Sequence, residues 1–251
     1  MFPIIQVGPL AIQAPGLVLI AGLWLGLILA ERRARRIGAN PADLYNLVFI
    51  GLIAGVIGAR LSYAATFPDA FAGNLLNLVS LNPGLLDPFA GALIAIVATA
   101  IYLYRKHLPV WTTLDNLTPL FAVMAIAIGF SNLASGNAFG IQTEQPWGIH
   151  LWGATRHPTQ VYEIILASLI LIAVLVIDKT LWSQTPGNTF ILFLAFTALS
   201  RLFLEAFRGD SILIANGFRQ AQLVAWLILA VCLGILGWRI SRNDRTQGAI
   251  E

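Results

Sequence analysis

Cysteine is almost missing from this chain: Cys232 stands alone among 251 residues. One thiol can form neither a disulfide nor a thiolate metal site, and a cysteine inside an apolar run reads as an inert packing residue. Histidine is nearly as scarce. His107, His150 and His157 lack the spacing that holds a metal, so neither a metal nor a cofactor is expected. Charge is the third deficit, at 11% of residues against 58% hydrophobic ones, with a mean hydropathy of +0.79. Soluble domains do not have that balance. The net charge of +3 comes mostly from short basic clusters between apolar runs, and nothing argues for a nucleic-acid partner. No linker, low-complexity tract or soluble segment interrupts the runs. The chain reads as one integral-membrane domain over residues 1–251.

What is present is apolar length. Seven runs, at about 10–30, 44–65, 89–104, 114–133, 158–177, 187–204 and 218–238, approach the roughly 20 residues that cross a bilayer. The expected fold class is all-α, a polytopic helical membrane protein with about seven transmembrane helices. The first run does not read as a cleavable signal, because the basic Arg32-Arg33-Ala34-Arg35-Arg36 follows it rather than preceding it. By the positive-inside rule that cluster is cytoplasmic, which puts the N-terminus outside and the C-terminus in the cytoplasm. The same orientation places Arg105, Lys106, Lys179, Arg239, Arg242 and Arg245 inside. Two outer segments, 66–88 and 134–157, are long enough to fold over a site. The second carries Trp147 and Trp152 and reads as a loop or short interfacial helix at headgroup level.

Arg60, Arg156, Arg201, Arg208 and Arg219 remain toward the outer face, where the rule disfavours them. All are arginines, although the chain does contain two lysines. The planar guanidinium grips phosphate or carboxylate with two parallel hydrogen bonds, so the set suggests an anionic headgroup or substrate. Snorkelling and local ion pairing remain the other reading, above all for Arg219 and Arg60.

Two polar strings sit at helix ends. Arg156-His157-Pro158-Thr159-Gln160-Val161-Tyr162-Glu163 runs straight into an apolar span. Pro158 suits a first helical turn, and Arg156, Gln160 and Glu163 then fall at i, i+4 and i+7 on one face. Ionisable groups at that depth cost roughly 2.5–3.5 kcal/mol each to insert and usually line an enclosed polar site; an interfacial anchor is the plainer alternative. Arg201, Glu205 and Arg208 repeat the spacing at the end of the sixth span. Arg201 and Glu205 can neutralise one another, which leaves Arg208 as net positive charge placed for a phosphate. An Arg–Glu pair that merely locks two helices would look the same.

With these strings the chain resembles the prolipoprotein diacylglyceryl transferases, seven-span enzymes of the bacterial plasma (inner) membrane. The resemblance covers nearly the whole chain. It rests on Gly58-Ala59-Arg60-Leu61-Ser62-Tyr63, on Asp115 and Pro119, on the string from Arg156 to Glu163, on Arg201 through Arg208, and on Gln222. It implies transfer of the diacylglyceryl group of phosphatidylglycerol to the lipobox cysteine in the signal peptide of a prolipoprotein, within the membrane. It also implies site residues: His157, Arg201 and Glu205 as catalytic, with Arg60, Asn132, Arg156, Gln160, Tyr162, Glu163 and Arg208 as substrate-binding. Because the nucleophilic thiol belongs to the acceptor, a scarcity of cysteine in this chain is no objection.

The sequence also departs from the family pattern. Pro15 stands where the family carries tyrosine, Phe89 where it carries histidine, Gly129 where its signature has arginine and Asn137 where that signature has glutamate. Two further readings follow: a relative that binds phospholipid or lipoprotein precursor without turnover, and a small-molecule transporter. Transport would favour helices interrupted near the midplane and an internal repeat, whereas the polar strings here lie toward one face.

Overall fold

Every one of the seven apolar runs becomes a helix long and apolar enough to cross a membrane. The computed structural model describes residues 4–7, 10–69, 85–180, 185–214 and 217–247. A short antiparallel hairpin, β1 (Ile4–Val7) with β2 (Leu10–Gln13), precedes α1 (Ala14–Arg36). Then come α2 (Pro41–Thr66), α3 (Pro88–Arg105), α4 (Val110–Ser135), a hairpin of β3 (Ile149–Leu151) and β4 (Ala154–Arg156), α5 (Thr159–Ile177) and α6 (Asn188–Glu205). The two-residue strands β5 (Leu213–Ile214) and β6 (Phe218–Arg219) lead into α7 (Gln220–Gln247). Asn40 and Asp87 cap α2 and α3 with side-chain oxygens, and α2 and α4 run past their apolar stretches at both ends. Of the outer segment at 66–88, residues 70–84 lie outside the described part.

Two compact units divide the chain: Ala34–Thr113, and Met1–Arg33 with Leu114–Glu251. In the smaller unit α2 and α3 run antiparallel and meet along small residues. A Cβ added at Gly51 would lie 2.9 Å from Thr99 Cγ2, and one at Gly91 would lie 2.8 Å from both Ala59 Cβ and the Gly55 carbonyl. Close backbone approach through small residues is how membrane helices gain packing where no hydrophobic force draws them together. Asp87 closes one end of this pair. Its Oδ1 accepts from the Phe89 and Ala90 N–H groups at 3.0 and 3.2 Å, while Oδ2 accepts from the Ser62 hydroxyl at 2.8 Å. Arg60 lies next to it, buried, with Nη1 donating to the Leu85 carbonyl at 3.2 Å.

The larger unit builds on α4. Gly26 lets α1 approach until an added Cβ would stand 2.5 Å from Leu120 Cδ1, and Gly129 does the same for α5 at Ile164 Cγ1, 2.7 Å. Ala122, Val174 and Phe193 join α4, α5 and α6 in one apolar cluster; Ile191, Ala195, Cys232 and Leu236 join α6 to α7 in another. Cys232 is a buried packing residue there. The N-terminus of α6 has no side-chain cap of its own, since Gly187 holds the cap position with φ +92°. Asp115 supplies one from α4. Its carboxylate accepts from Gly187 N–H at 2.6 Å and Phe190 N–H at 2.8 Å, placing negative charge at the positive end of the helix. Around this cap Arg33 pairs with Asp178, both almost fully buried, and Arg239 Nη1 donates to Asn188 Oδ1 at 2.7 Å and to the Pro186 carbonyl at 2.9 Å. Arg33 and Arg239, read from sequence as loop charges, thus brace helix ends.

Asp87 gives the smaller unit a pH dependence of known sign. The Ala90 N–H, then the Ser62 hydroxyl and the Phe89 N–H, hold its carboxyl below the usual carboxylate range against an opposing desolvation. A depressed folded-state pKa contributes stability that is present above the unfolded value and is lost as pH falls through the folded one. Amide protection at Phe89 and Ala90, corrected for intrinsic exchange, should therefore fall in that acid window in the wild-type chain. In Asp87→Asn, which keeps a capping oxygen without the charge, it should not. An equal fall in both would contradict the assignment.

Candidate active site at the ends of α4 to α7

The segment that follows α4 folds by backbone hydrogen bonding rather than into the short helix that was one expectation. The β3–β4 hairpin turns at Trp152 and Gly153, with φ of +53° and +76°, the left-handed pair that a two-residue turn needs. Trp152 is held in that unusual conformation by its indole N–H, which donates to the Gly136 carbonyl at 3.0 Å. Next to the hairpin, residues 139–143 run between β4 and the loop after α6. On one side His157 N–H donates to Ile141 O at 3.0 Å and Thr143 N–H to Thr155 O at 3.0 Å. On the other, Ile141 N–H donates to Phe207 O and Gly209 N–H to Phe139 O, both at 2.9 Å. Gly140 is required at the centre, because an added Cβ would collide with the His157 carbonyl and lie 2.8 Å from His157 Cβ. This ribbon ties the α4–α5 connection to the end of α6.

Several of the residues singled out from sequence serve the ribbon itself. Arg156 lies on β4, before α5 begins, and so does not share a helical face with Gln160 and Glu163 as the spacing suggested. Its Nε donates to Leu151 O at 3.1 Å, its Nη1 to Gly140 O at 3.2 Å, and the guanidinium stacks 5.0 Å over the Phe139 ring. Thr159 and Gln160, both buried, reach back from the first turn of α5 to the Ala138 and Asn137 carbonyls at 2.6 and 2.8 Å. His157 Nδ1 stands 3.3 Å from Tyr162 Oη, which accepts from the Trp147 indole at 2.8 Å. An indole only donates, so the phenol oxygen accepts there and meets His157 Nδ1 with its remaining hydrogen-bonding capacity. Phe207 closes this knot edge-on to the His157 ring, 5.3 Å between centroids.

Beside the ribbon, α4, α5, α6 and α7 enclose a cavity of about 710 Å³. Its walls are apolar, with Ile128, Ile170, Phe193 and Val224 among them. At one end it becomes charged: Glu163, Arg201, Glu205, Arg208, Asp210, Ser211 and Gln220 line it there. Arg201 Nε stands 3.1 Å from Glu205 Oε2, within ion-pair reach though not aligned as a hydrogen bond, and Glu205 is only 1% exposed. Asn132 Nδ2 donates to Glu163 at 3.1 Å and so orients it from outside the lining.

Arg208 corrects the sequence reading twice. The helix stops at Glu205, so Arg208 sits in the following loop, not one further turn along α6. Nor is it uncompensated charge: Nε donates to Asp210 Oδ1 at 2.9 Å and Nη2 to Oδ2 at 2.7 Å. Arg219 holds this loop in shape through the Glu205 and Arg208 carbonyls and Ser211 Oγ. Of the residues read as site residues, Glu163, Arg201, Glu205 and Arg208 line the cavity; Asn132 bonds Glu163 from outside it, and Arg156, His157, Gln160 and Tyr162 bond within or beside the ribbon. Arg60 belongs to the other unit. Asp210, Ser211 and Gln220 were missed. Only the carboxylate two residues beyond Arg208 could have hinted at them.

These features coincide with a family. The model for prolipoprotein diacylglyceryl transferase matches residues 3–238, across both units. The chain belongs to that family. A relative from Clostridioides difficile (strain 630) is 29% identical over 222 residues, covering 88% of this chain and 87% of its own length. One from Lactiplantibacillus plantarum is 26% identical over 257 residues, with 97% and 90% covered, and one from Symbiobacterium thermophilum 29% over 257 residues, with 95% and 92%. All three are named phosphatidylglycerol–prolipoprotein diacylglyceryl transferase. Membership makes the chain a transferase of lipoprotein biosynthesis and a multi-pass protein of the bacterial plasma membrane. Gly129 is closed to a side chain by the approach of Ile164 on α5; Phe89 is 84% exposed on α3.

The ribbon makes a stability prediction. Gly140→Ala must part residues 139–143 from β4 and should cost on the order of 1–3 kcal/mol, the range for overpacking a closed site. Gly234→Ala, with nothing within 4 Å of the added Cβ, should be neutral or slightly stabilising, as expected inside a helix. Thermal unfolding of the two purified variants in detergent compares them, and equal midpoints would show that the ribbon has slack.

Proposed function

We propose that this chain transfers the diacylglyceryl group of phosphatidylglycerol to the lipobox cysteine of a prolipoprotein, releasing glycerol 1-phosphate. The observation that carries this reading is the amphipathic cavity: apolar walls from four spanning helices fit acyl chains, and the end bearing Arg201 and Arg208 fits an anionic phosphate. Lys179, Arg239 and Arg242 lie toward the opposite ends of α5 and α7, so the positive-inside rule puts the charged mouth at the outer leaflet.

The chemistry asks little else of the protein. The acceptor sulfur attacks the glyceryl carbon that bears the phosphate, a carbon–sulfur bond forms, and the carbon–oxygen bond to phosphate breaks with its electron pair. Negative charge grows on the phosphate, where preorganised guanidinium donors are most effective. Arg201, held by buried Glu205, supplies such a donor. The thiol must lose a proton, since the thiolate is the nucleophile; Glu163, on the cavity wall and oriented by Asn132, is placed to take it and pass it to the departing phosphate. His157 then acts as a positioning residue behind Phe207, its Nδ1 engaged by Tyr162. In this reading it does not take the catalytic role that the family resemblance implies.

A second reading keeps the cavity and omits turnover: a phospholipid- or precursor-binding relative, favoured by the closed contact at Gly129. Purified chain incubated with phosphatidylglycerol and a lipobox peptide separates the two. The expected outcome is a diacylglyceryl mass gain on the peptide cysteine. Arg201→Ala should lower the rate by about 10²–10³, the value of one such donor. Asn132→Ala should have a smaller effect. Folded protein that binds phosphatidylglycerol but modifies no peptide would leave the binding relative.

A further inference from the structure

Both cavity arginines already hold a carboxylate, but the two pairs differ in kind. Glu205 is 1% exposed and fixed in the wall of α6 beneath Arg201. Asp210 lies in the loop beyond the helix with its side chain 28% exposed, and it occupies Arg208 on two sides, Nε to Oδ1 and Nη2 to Oδ2. That is the geometry in which a guanidinium binds either a carboxylate or a phosphate. The same donors cannot serve both. Arg208 itself is anchored: its backbone bridges to Gly140, and its carbonyl accepts from Arg219 at 3.0 Å. Asp210 has no partner for its carboxylate other than Arg208 among the described residues. Charge points the same way: Glu163, Glu205 and Asp210 line the mouth with Arg201 and Arg208, and Arg219 stands behind the loop, so the mouth carries no net positive charge. A phosphate entering there adds a fourth negative group unless one carboxylate leaves.

We infer that Asp210 is an internal competitor for the phosphate of the lipid, occupying Arg208 until the headgroup displaces it and so setting how tightly an anionic lipid is held. The inference rests on the reading of the cavity as the lipid site. On displacement the Asp210 carboxylate turns toward solvent, to which it is already partly open, while the anchored Arg208 backbone keeps the guanidinium at the cavity mouth. Asp210 is then a specificity-determining residue that weakens binding: it lowers affinity for any phosphate-bearing lipid and leaves the apolar part of the cavity untouched.

The test uses the full chain in a neutral detergent, titrated with phosphatidylglycerol, with diacylglycerol, which has the same chains and no phosphate, and with soluble glycerol phosphate. Asp210→Asn and Asp210→Ala should each tighten phosphatidylglycerol binding, on the order of five- to ten-fold for a partly exposed charge-assisted pair, and leave diacylglycerol binding unchanged. Adding Arg208→Gln should abolish the gain. Unchanged or weaker phosphatidylglycerol binding in both Asp210 variants would overturn the inference while leaving the lipid cavity intact. So would an equal gain for diacylglycerol, which would indicate a change of cavity shape. A gain confined to glycerol phosphate would overturn the lipid as the occupant. If wild type and variants alike bind phosphatidylglycerol without saturation, the cavity reading itself fails and this inference falls with it.

Discussion

Where the polypeptide leaves a spanning helix it needs partners for its peptide groups, and here those partners come from other connecting segments. Residues 139–143 take hydrogen bonds from both neighbours, with Ile141 donating to Phe207 while accepting from His157. Buried N–H and C=O groups left unpaired would cost about as much as lost hydrogen bonds, so the connections after α4 and α6 are forced into one layer. Gly140 permits it, and Gly209 sits where an added Cβ would lie 2.8 Å from the Gly140 carbonyl. The cavity mouth inherits its geometry from this layer. Arg208 is placed by the backbone bridge to Gly140, and Glu163 follows from the start of α5, which the Thr159 and Gln160 clasps fix against the same loop.

Charge in the mouth is balanced more closely than a count of arginines suggests. Arg201 meets Glu205, Arg208 meets Asp210, and Arg156 spends its donors on carbonyls. Free guanidinium groups at the edge of a bilayer would be costly to desolvate. Pairing Arg201 and Arg208 with carboxylates keeps the apolar cavity and the cations next to one another. At the far ends of α5 and α6, the Arg33–Asp178 pair and the Asp115 cap do the same work for structure alone.

The helices were legible in the sequence because apolar length is a one-dimensional property: all seven runs became spanning helices, including the short third one. Arg201 and Glu205 were legible too, since i, i+4 spacing on a continuous helix fixes their approach. Arg156 and Arg208 escape that rule. Helical spacing means nothing past the helix end, and both residues lie outside, one on a strand and one in a loop. The His157–Tyr162–Trp147 knot was half visible, because His157 and Tyr162 are five residues apart but Trp147 arrives through the hairpin. Asp210 was only hinted at by lying two residues beyond Arg208, because the pair forms in a loop shaped by Arg219 from β6.

The central claim is that the charged end of the α4–α7 cavity holds the phosphate of a two-chain lipid. An experimental structure of the chain with phosphatidylglycerol bound tests it most directly. The account predicts the phosphate within hydrogen-bond distance of Arg201 or Arg208, the acyl chains along Ile128, Ile170, Phe193 and Val224, and Glu205 still against Arg201. A phosphate at the opposite helix ends beside Arg33 or Arg239, or acyl chains lying wholly outside the cavity, would contradict it.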